Sequence, residues 1–161
     1  MNEFQILLQH LKQPEYVHVL LNPWPVYGIA SGFFVLAMAL VMRSRSAQMI
    51  ALLLIALMGP ATFAATRYCH RAYDRVYAMS GDDAQKWLDV HKQRAANGQH
   101  VFYLMSLAAV AGLVAHRKSS DAARPITWLT LVLALVSFNL AGWISQAGGQ
   151  VRHSEFRDGP P

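Results

Sequence analysis

Apolar residues along this chain fall in four long blocks that are separated by shorter polar stretches. The blocks cover residues 25–42, 47–66, 100–116 and 126–147, and none of them contains Asp, Glu, Lys or Arg. Each is close to the roughly 20 residues that an α-helix needs to cross about 30 Å of hydrocarbon. The pattern therefore predicts an all-α fold, a four-transmembrane-helix bundle that makes up a single membrane domain over residues 1–161.

The polar stretch between the second and third blocks also has a helical pattern. Tyr73 and Tyr77 continue the apolar stripe of the second block until Gly81, where the chain is expected to turn. Ser80 followed by Asp83 resembles a capping box, which marks the start of a helix. These features predict an extramembrane helical hairpin between helices 2 and 3.

The chain before the first block shows a shorter helical repeat. Four apolar residues recur at helical spacing after Asn2, a candidate N-cap, and before Pro14: Phe4, Leu7, Leu8 and Leu11. This segment predicts a short N-terminal interfacial helix. It lacks the basic start, compact apolar core and cleavage site of a signal peptide, so the first block is expected to direct its own insertion.

Gly59-Pro60 interrupts the second block. A proline in a helix interior removes one backbone hydrogen bond and usually bends the helix. Two interpretations follow, a bend fixed by packing and a gating hinge, and the first is the commoner use of such a pair.

Composition and charge agree with a membrane protein and suggest its orientation. The chain is 54% hydrophobic and only 14% charged, with a net charge of +5. The two short connections carry five basic residues and one acid, Asp121. Since short cytoplasmic loops retain Lys and Arg, we expect these connections to be cytoplasmic. Both termini and the long loop would then lie on the outer, periplasmic side of a bacterial inner membrane.

The same distribution argues against a nucleic-acid partner. The basic residues lie in the connections between spans, where topology accounts for them. The expected contacts are therefore the lipid bilayer and other membrane protein subunits. A single cysteine, Cys69, excludes an internal disulfide.

The histidines carry the strongest chemical signal in the sequence. Six of the seven map to the expected outer side, namely His10, His18, His70, His91, His100 and His153. Imidazole is the commonest metal ligand and also ligates haem iron, and a helix bundle can bury it between helices. This one-sided distribution indicates a candidate cofactor site at the outer face.

Spacing suggests two ways to group these histidines. His70 precedes the expected turn by about as many residues as His91 follows it, so an antiparallel hairpin would place the two in one layer. His18, His100 and His153 reach the membrane boundary and form a second candidate layer. His91 and His100 are nine residues apart and should lie on opposite faces of one helix.

Each of these residues also has a structural interpretation. A histidine at a membrane interface is amphipathic, and a solvated or hydrogen-bonded role is the commoner one for any single histidine. Cys69 lies beside His70, but adjacent helical residues point about 100° apart. Cys69 is therefore interpreted as a small packing residue.

Three stretches resemble a group of uncharacterised bacterial four-helix integral membrane proteins, similar to a predicted-membrane domain family of unknown function. The stretches are 17–28 (VHVLLNPWPVYG), 87–95 (WLDVHKQRA) and 148–155 (GGQVRHSE). The resemblance implies the fold and the membrane location but no activity. Its motifs contain His18, His91 and His153, which makes these three stronger candidates for a cofactor site than the other histidines.

If these three histidines serve a centre, at least two should point inward with the second ring nitrogen hydrogen-bonded. The carboxylates nearest in sequence are Asp89 and Glu155. The Gly148-Gly149 pair is expected to let the chain turn after the fourth span and return His153 to the bundle.

The leading hypothesis is a subunit or partner of a bacterial electron-transfer complex that binds haem b or a metal through His18, His91, His153, His70 and His100. Haem is preferred to zinc because the ligands are imidazoles without a thiolate cluster. The alternative is a cofactor-free accessory subunit of a larger membrane complex. A transporter lacks support because the spans contain no charged residue, and no nucleophile with its base suggests an enzyme.

Overall fold

The computed structural model describes residues 2–157 and Gly159, and its regular elements within that part of the chain are all helices. Six α-helices are followed by a 3₁₀ turn, Ser154–Phe156. The helices are α1 Glu3–His10, α2 Pro14–Leu21, α3 Pro23–Val41, α4 Arg45–Ala78, α5 Asp82–Arg117 and α6 Ala123–Arg152. The helical fold agrees with the sequence pattern. In α1, the side chain of Asn2 accepts from the backbone N–H of Gln5, and the interfacial position of this helix stays a prediction.

Four long helical stretches are apolar enough to cross a membrane. They are Pro14–Val41, which joins α2 and α3, and then α4, α5 and α6. Helices α3 to α6 pack in chain order around a ring, with α6 closing on α3, while α2 lies against α4. The two short connections therefore share one end of the bundle, here the loop end. The α4–α5 turn, the start of α2 and the end of α6 lie at the other end, which we call the hairpin end.

The interior of the bundle is lined by apolar and small side chains, while large apolar side chains remain on its surface. Leu36, Leu52, Ile55 and Met105 are completely buried in the central cluster. Phe34, Leu53, Phe63 and Leu107 are more than half exposed. A soluble monomer does not leave so many large apolar groups uncovered, so these residues are suited to contact lipid.

The Gly59-Pro60 pair joins α4 to α5 without breaking α4. Pro60 has no N–H, which leaves the carbonyl of Ala56 without its usual helical donor. The hydroxyl of Ser106 on α5 donates to that carbonyl at 2.6 Å. Gly59 makes room for this contact, since a Cβ there would lie 2.5 Å from Ser106 Oγ. These contacts favour the packing interpretation of the pair.

Helices α4 and α5 extend well past the lengths that cross a bilayer. They contain 34 and 36 residues, or about 50 Å each at 1.5 Å per residue. Their ends at the hairpin end are joined by side chains: Tyr73 donates to Asp89, and Lys92 lies 3.5 Å from the centre of the Tyr73 ring. Projection of this hairpin from the membrane remains a prediction.

The turn between α4 and α5 differs in one respect from the sequence prediction. The N-cap of α5 is Gly81, without a side-chain hydrogen bond, and Ser80 instead donates to the carbonyl of Val76 in α4. The expected capping box of Ser80 and Asp83 is therefore wrong. Ser80 is engaged at the end of the preceding helix, and Asp83 pairs with Lys86.

Candidate metal centre

Three side chains from three helices converge inside the bundle near the hairpin end. His18 comes from α2, Cys69 from α4 and His91 from α5, and one ligand atom of each lies within 4.8 Å of those of the other two. We refer to these residues as the His–Cys trio. Within the part of the chain that the structure describes, this is the group of His, Cys and acidic residues with the spacing of a metal site.

His91 is held in one orientation by the backbone of α6. The side chain is buried, with the residue 5% exposed, and its Nδ1 lies 3.0 Å from the carbonyl oxygen of Ile144. A carbonyl can only accept, so Nδ1 carries the hydrogen. In a neutral imidazole the lone pair is then on Nε2, the nitrogen available to a metal.

His18 is oriented in the same way by α4. Its Nδ1 lies 3.0 Å from the carbonyl oxygen of Ala65, which again leaves the Nε2 lone pair free. The His18 and His91 rings meet edge to face, with centroids 6.2 Å apart and an interplanar angle of 65°. Both inward-pointing histidines therefore have the second-nitrogen hydrogen bond that is expected of metal-ligating imidazoles.

The face of α4 that packs inward explains why Cys69 belongs to this group. Four small residues at helical spacing form this buried face: Thr62, Ala65, Cys69 and Ala72. His70 is the next residue after Cys69, about 100° further around the helix, and it is exposed. The sequence interpretation of Cys69 as a packing residue accounted for its burial but missed its thiol as a candidate ligand.

Gly148 allows the His91 ring to approach α6. A Cβ at this position would lie 3.1 Å from both Cε1 and Nδ1 of His91. The expected sharp turn at Gly148-Gly149 is wrong, because α6 continues through both residues to Arg152. The glycine is explained by the close packing of an imidazole against the helix, and the chain changes direction only at His153.

The trio separates two cavities. A small one of about 50 Å³ extends toward the bundle core, with Pro25, Phe102 and Ile144 in its wall. A larger one of about 460 Å³ lies on the hairpin-end side and is also lined by Glu15, Arg152 and His153. Arg152 and His153 are exposed, so the larger cavity reaches the surface.

His153 faces this larger cavity in a defined orientation. Its Nδ1 lies 2.9 Å from Oε1 of Glu155, and its ring stacks on Phe156 with centroids 4.8 Å apart. The backbone N–H of Glu155 itself and then the His153 side chain hold the pKa of Glu155 below its usual value. The carboxylate is therefore ionised at neutral pH and available as the partner of His153.

The remaining candidates from the sequence lie elsewhere. His70 and His100 are exposed, and the His100 ring contacts Tyr103. Among the described residues, the group with the spacing of a metal site therefore includes neither His70 nor His100. The pairing of His70 with His91 stays a prediction. Asp89 accepts from Tyr73, so the expected carboxylate partner of His91 is replaced by the carbonyl of Ile144.

The trio has the chemistry of a transition-metal site. Two imidazole nitrogens and one thiolate suit zinc and copper, which prefer nitrogen and sulfur ligands. Metal–ligand bonds of about 2.0–2.3 Å bring such ligand atoms to within roughly 3.5 Å of one another. The present spacing requires only small side-chain movements to reach that geometry. Three protein ligands leave one coordination position for a further group.

Comparison with protein-family models, curated proteins and solved structures gives no match. The resemblance to uncharacterised four-helix membrane proteins therefore remains a prediction. The candidate site rests on its own geometry.

Proposed function

We propose that this protein is a multi-pass membrane subunit or partner of a bacterial electron-transfer complex, and that it holds a transition-metal ion in the His–Cys trio. The observation that carries this proposal is the paired orientation of His18 and His91. Each has Nδ1 3.0 Å from a backbone carbonyl oxygen, which leaves the Nε2 lone pair available, and one ring nitrogen of each lies within 4.8 Å of the Cys69 sulfur. Such hydrogen bonds fix the tautomer and ring position of metal-ligating histidines.

The location of the trio supports a redox or metal-holding role rather than transport. It lies at the hairpin end, in a bundle whose apolar blocks contain no Asp, Glu, Lys or Arg. Ion pathways through membrane proteins are usually marked by such intramembrane residues. A metal held between helices needs none of them. The basic short connections favour an inner-membrane orientation with this end on the periplasmic side.

The thiol changes the preference between haem b and a metal ion. A haem ligated by both histidines has its porphyrin plane midway between the two ligating nitrogens. An atom within 4.8 Å of both nitrogens lies close to that plane and near the iron, where the macrocycle must be. The Cys69 sulfur occupies this position, so haem would require at least the Cys69 side chain to move aside. A single metal ion requires much less rearrangement.

The first test measures metal content after mild purification with partner proteins retained. Copper and zinc are quantified by mass spectrometry, and haem by its Soret absorption. We expect about one metal ion per chain in the wild type. A colourless and metal-free protein would contradict the proposal and favour the cofactor-free accessory subunit. A Soret band that disappears with His18→Ala or His91→Ala would restore the haem hypothesis.

Variants of the trio identify the ligands. We expect His18→Ala, Cys69→Ser and His91→Ala each to weaken metal binding by at least about 100-fold, since loss of a second-shell partner alone costs roughly 10- to 100-fold. His70→Ala and His100→Ala are the matched controls, because both are exposed histidines on the same two helices, α4 and α5. Equal loss in trio and control variants would exclude the trio as the site.

A further inference from the structure

The larger cavity connects the trio to a fourth histidine. His153 and all three trio residues line the same cavity of about 460 Å³. The Nδ1 of His153 is engaged by Glu155, so its Nε2 is the nitrogen left for a metal. The small cavity on the other side of the trio holds only about 50 Å³. The larger cavity therefore offers more room for a metal ion or a further ligand beside the trio, on the side of His153.

The charges around the trio favour a monovalent ion over a divalent one. A monovalent ion bound to one thiolate and two neutral imidazoles is electrically neutral, whereas a divalent ion with the same ligands carries one positive charge. An unbalanced charge is costly to bury in apolar surroundings. Among the described residues that line either cavity, the one carboxylate is that of Glu15, whose Oε1 pairs with Arg75 at 3.0 Å, and Arg152 adds a further positive charge.

The ligand types agree with a monovalent copper ion. Thiolate and imidazole ligands bind Cu(I) as well as zinc, so the charge balance is what favours Cu(I) here. We propose that the His–Cys trio is a copper(I) site that is loaded and unloaded through the larger cavity, with His153 as the outer ligand from which the ion passes to the buried residues. On binding, Cu⁺ forms a bond to Cys69 Sγ and the thiol proton leaves to solvent, so no oxidant or reductant is consumed. This inference rests on the function proposed above.

The identity of the ion is tested by competition on the purified full-length protein. Binding of Cu⁺ under anaerobic conditions, of Ag⁺ as a redox-inert monovalent probe, and of Zn²⁺ is measured against chelators of known affinity. We expect one Cu⁺ or Ag⁺ per chain, bound at least about 100-fold more tightly than Zn²⁺, with the preference lost in Cys69→Ser. Tighter binding of Zn²⁺, or Cu⁺ binding that does not depend on Cys69, would overturn the inference.

The role of His153 is tested by exchange kinetics. A water-soluble Cu(I) chelator added to the loaded protein removes the ion, and the rate is followed by the absorbance of the chelator complex. We expect His153→Ala to slow removal and reloading by at least about 10-fold while changing the equilibrium affinity by less than about 3-fold, because a transient ligand affects the path rather than the final site. His100→Ala, an exposed histidine outside the cavity, should leave the rate unchanged.

Two results would contradict this role for His153. An unchanged exchange rate in His153→Ala would exclude it from the path, and a loss of affinity as large as that of His91→Ala would make it a permanent ligand. Glu155→Gln provides a second variant that keeps the imidazole but removes its ionised partner, and it should slow exchange less than His153→Ala does. Zn²⁺ bound through the trio without Cu⁺ preference would overturn this inference and leave the proposed function standing. No metal binding at all would overturn both.

Discussion

Two glycines of α6 have opposite surroundings, and the difference shows how one residue can decide the position of a ligand. A Cβ at Gly148 would meet the His91 ring at 3.1 Å, whereas a Cβ at Gly142 would find nothing within 4 Å. Both residues are helical. Alanine has a higher helix propensity than glycine at either position. Only at position 148 would its methyl group press against the His91 imidazole, which α6 holds in place.

We therefore expect Gly142→Ala and Gly148→Ala to act in opposite directions. Gly142→Ala should raise the free energy of unfolding in mild detergent by about 0.5–1 kcal/mol through helix propensity. Gly148→Ala should lower it by about 1–3 kcal/mol, as inserted methyl groups do in packed interiors, and should also weaken metal binding. Equal effects of the two substitutions, measured by denaturant titration, would show that the His91 contact does not constrain α6.

At the scale of elements, the α4–α5 interface compensates for the proline in α4. Pro60 deprives the Ala56 carbonyl of its helical donor, and Ser106 replaces that donor from the neighbouring helix. The contact is specific because the buried serine fits only against a glycine at position 59. The Gly59-Pro60 pair, which in the sequence could suggest a hinge, is thus part of the close contact between α4 and α5.

A double-mutant cycle tests this compensation. Ser106→Ala should lower the free energy of unfolding by about 1 kcal/mol, the usual net contribution of a hydrogen bond, plus a penalty for the unpaired carbonyl. In a Pro60→Ala background the restored N–H donates to Ala56, so Ser106→Ala should cost clearly less. A coupling energy indistinguishable from zero would mean that Ser106 does not replace the missing donor.

Each of the two connections at the loop end contains one residue with an unusual backbone angle. Arg43 has φ of 53° and Ser119 has φ of 51°, in the left-handed region that favours glycine. Ser44 N–H then bonds back to the carbonyl of Ala39, and Ser120 N–H to that of Ala115. Helices α3 and α5 therefore end with the same hydrogen-bonded turn, which keeps the two connections short.

This strain can be measured at Ser119. Ser119→Gly should stabilise the protein by about 1 kcal/mol relative to Ser119→Ala, because both lose the hydroxyl that Arg45 contacts but only glycine adopts this φ without cost. The comparison uses thermal or denaturant unfolding of the two variants in the same detergent. Equal stability of the two would indicate that the turn relaxes and stores no strain.

At the scale of the whole molecule, four candidate crossings place the start of α2, the end of α6 and the α4–α5 turn at one end of the bundle. Four helical stretches have the length and composition to span a membrane. We expect charge to decide which end faces the cytoplasm, because the two short connections hold five basic residues and one acid. Compact basic loops resist translocation, so the prediction is that the loop end is cytoplasmic.

Orientation is tested by cysteine labelling in a Cys69→Ala background. A membrane-impermeant thiol reagent added to intact cells should modify Asp82→Cys at the hairpin end and leave Asp121→Cys at the loop end unmodified. Permeabilised cells provide the control, in which both positions should react because both residues are exposed. Modification of Asp121→Cys alone in intact cells would contradict the predicted orientation and indicate the opposite one.

The sequence by itself determined the helical fold and the candidate spans, because long uncharged apolar blocks leave a chain few alternatives to membrane helices. It also indicated His18 and His91 through their motifs. Tertiary packing decided the rest. Whether Cys69 or His70 faces inward depends on the rotation of α4 against its neighbours, and a one-residue difference turns a side chain by about 100°. Likewise, the partner of His91 is a backbone carbonyl 53 residues away, a contact that no spacing along the chain encodes.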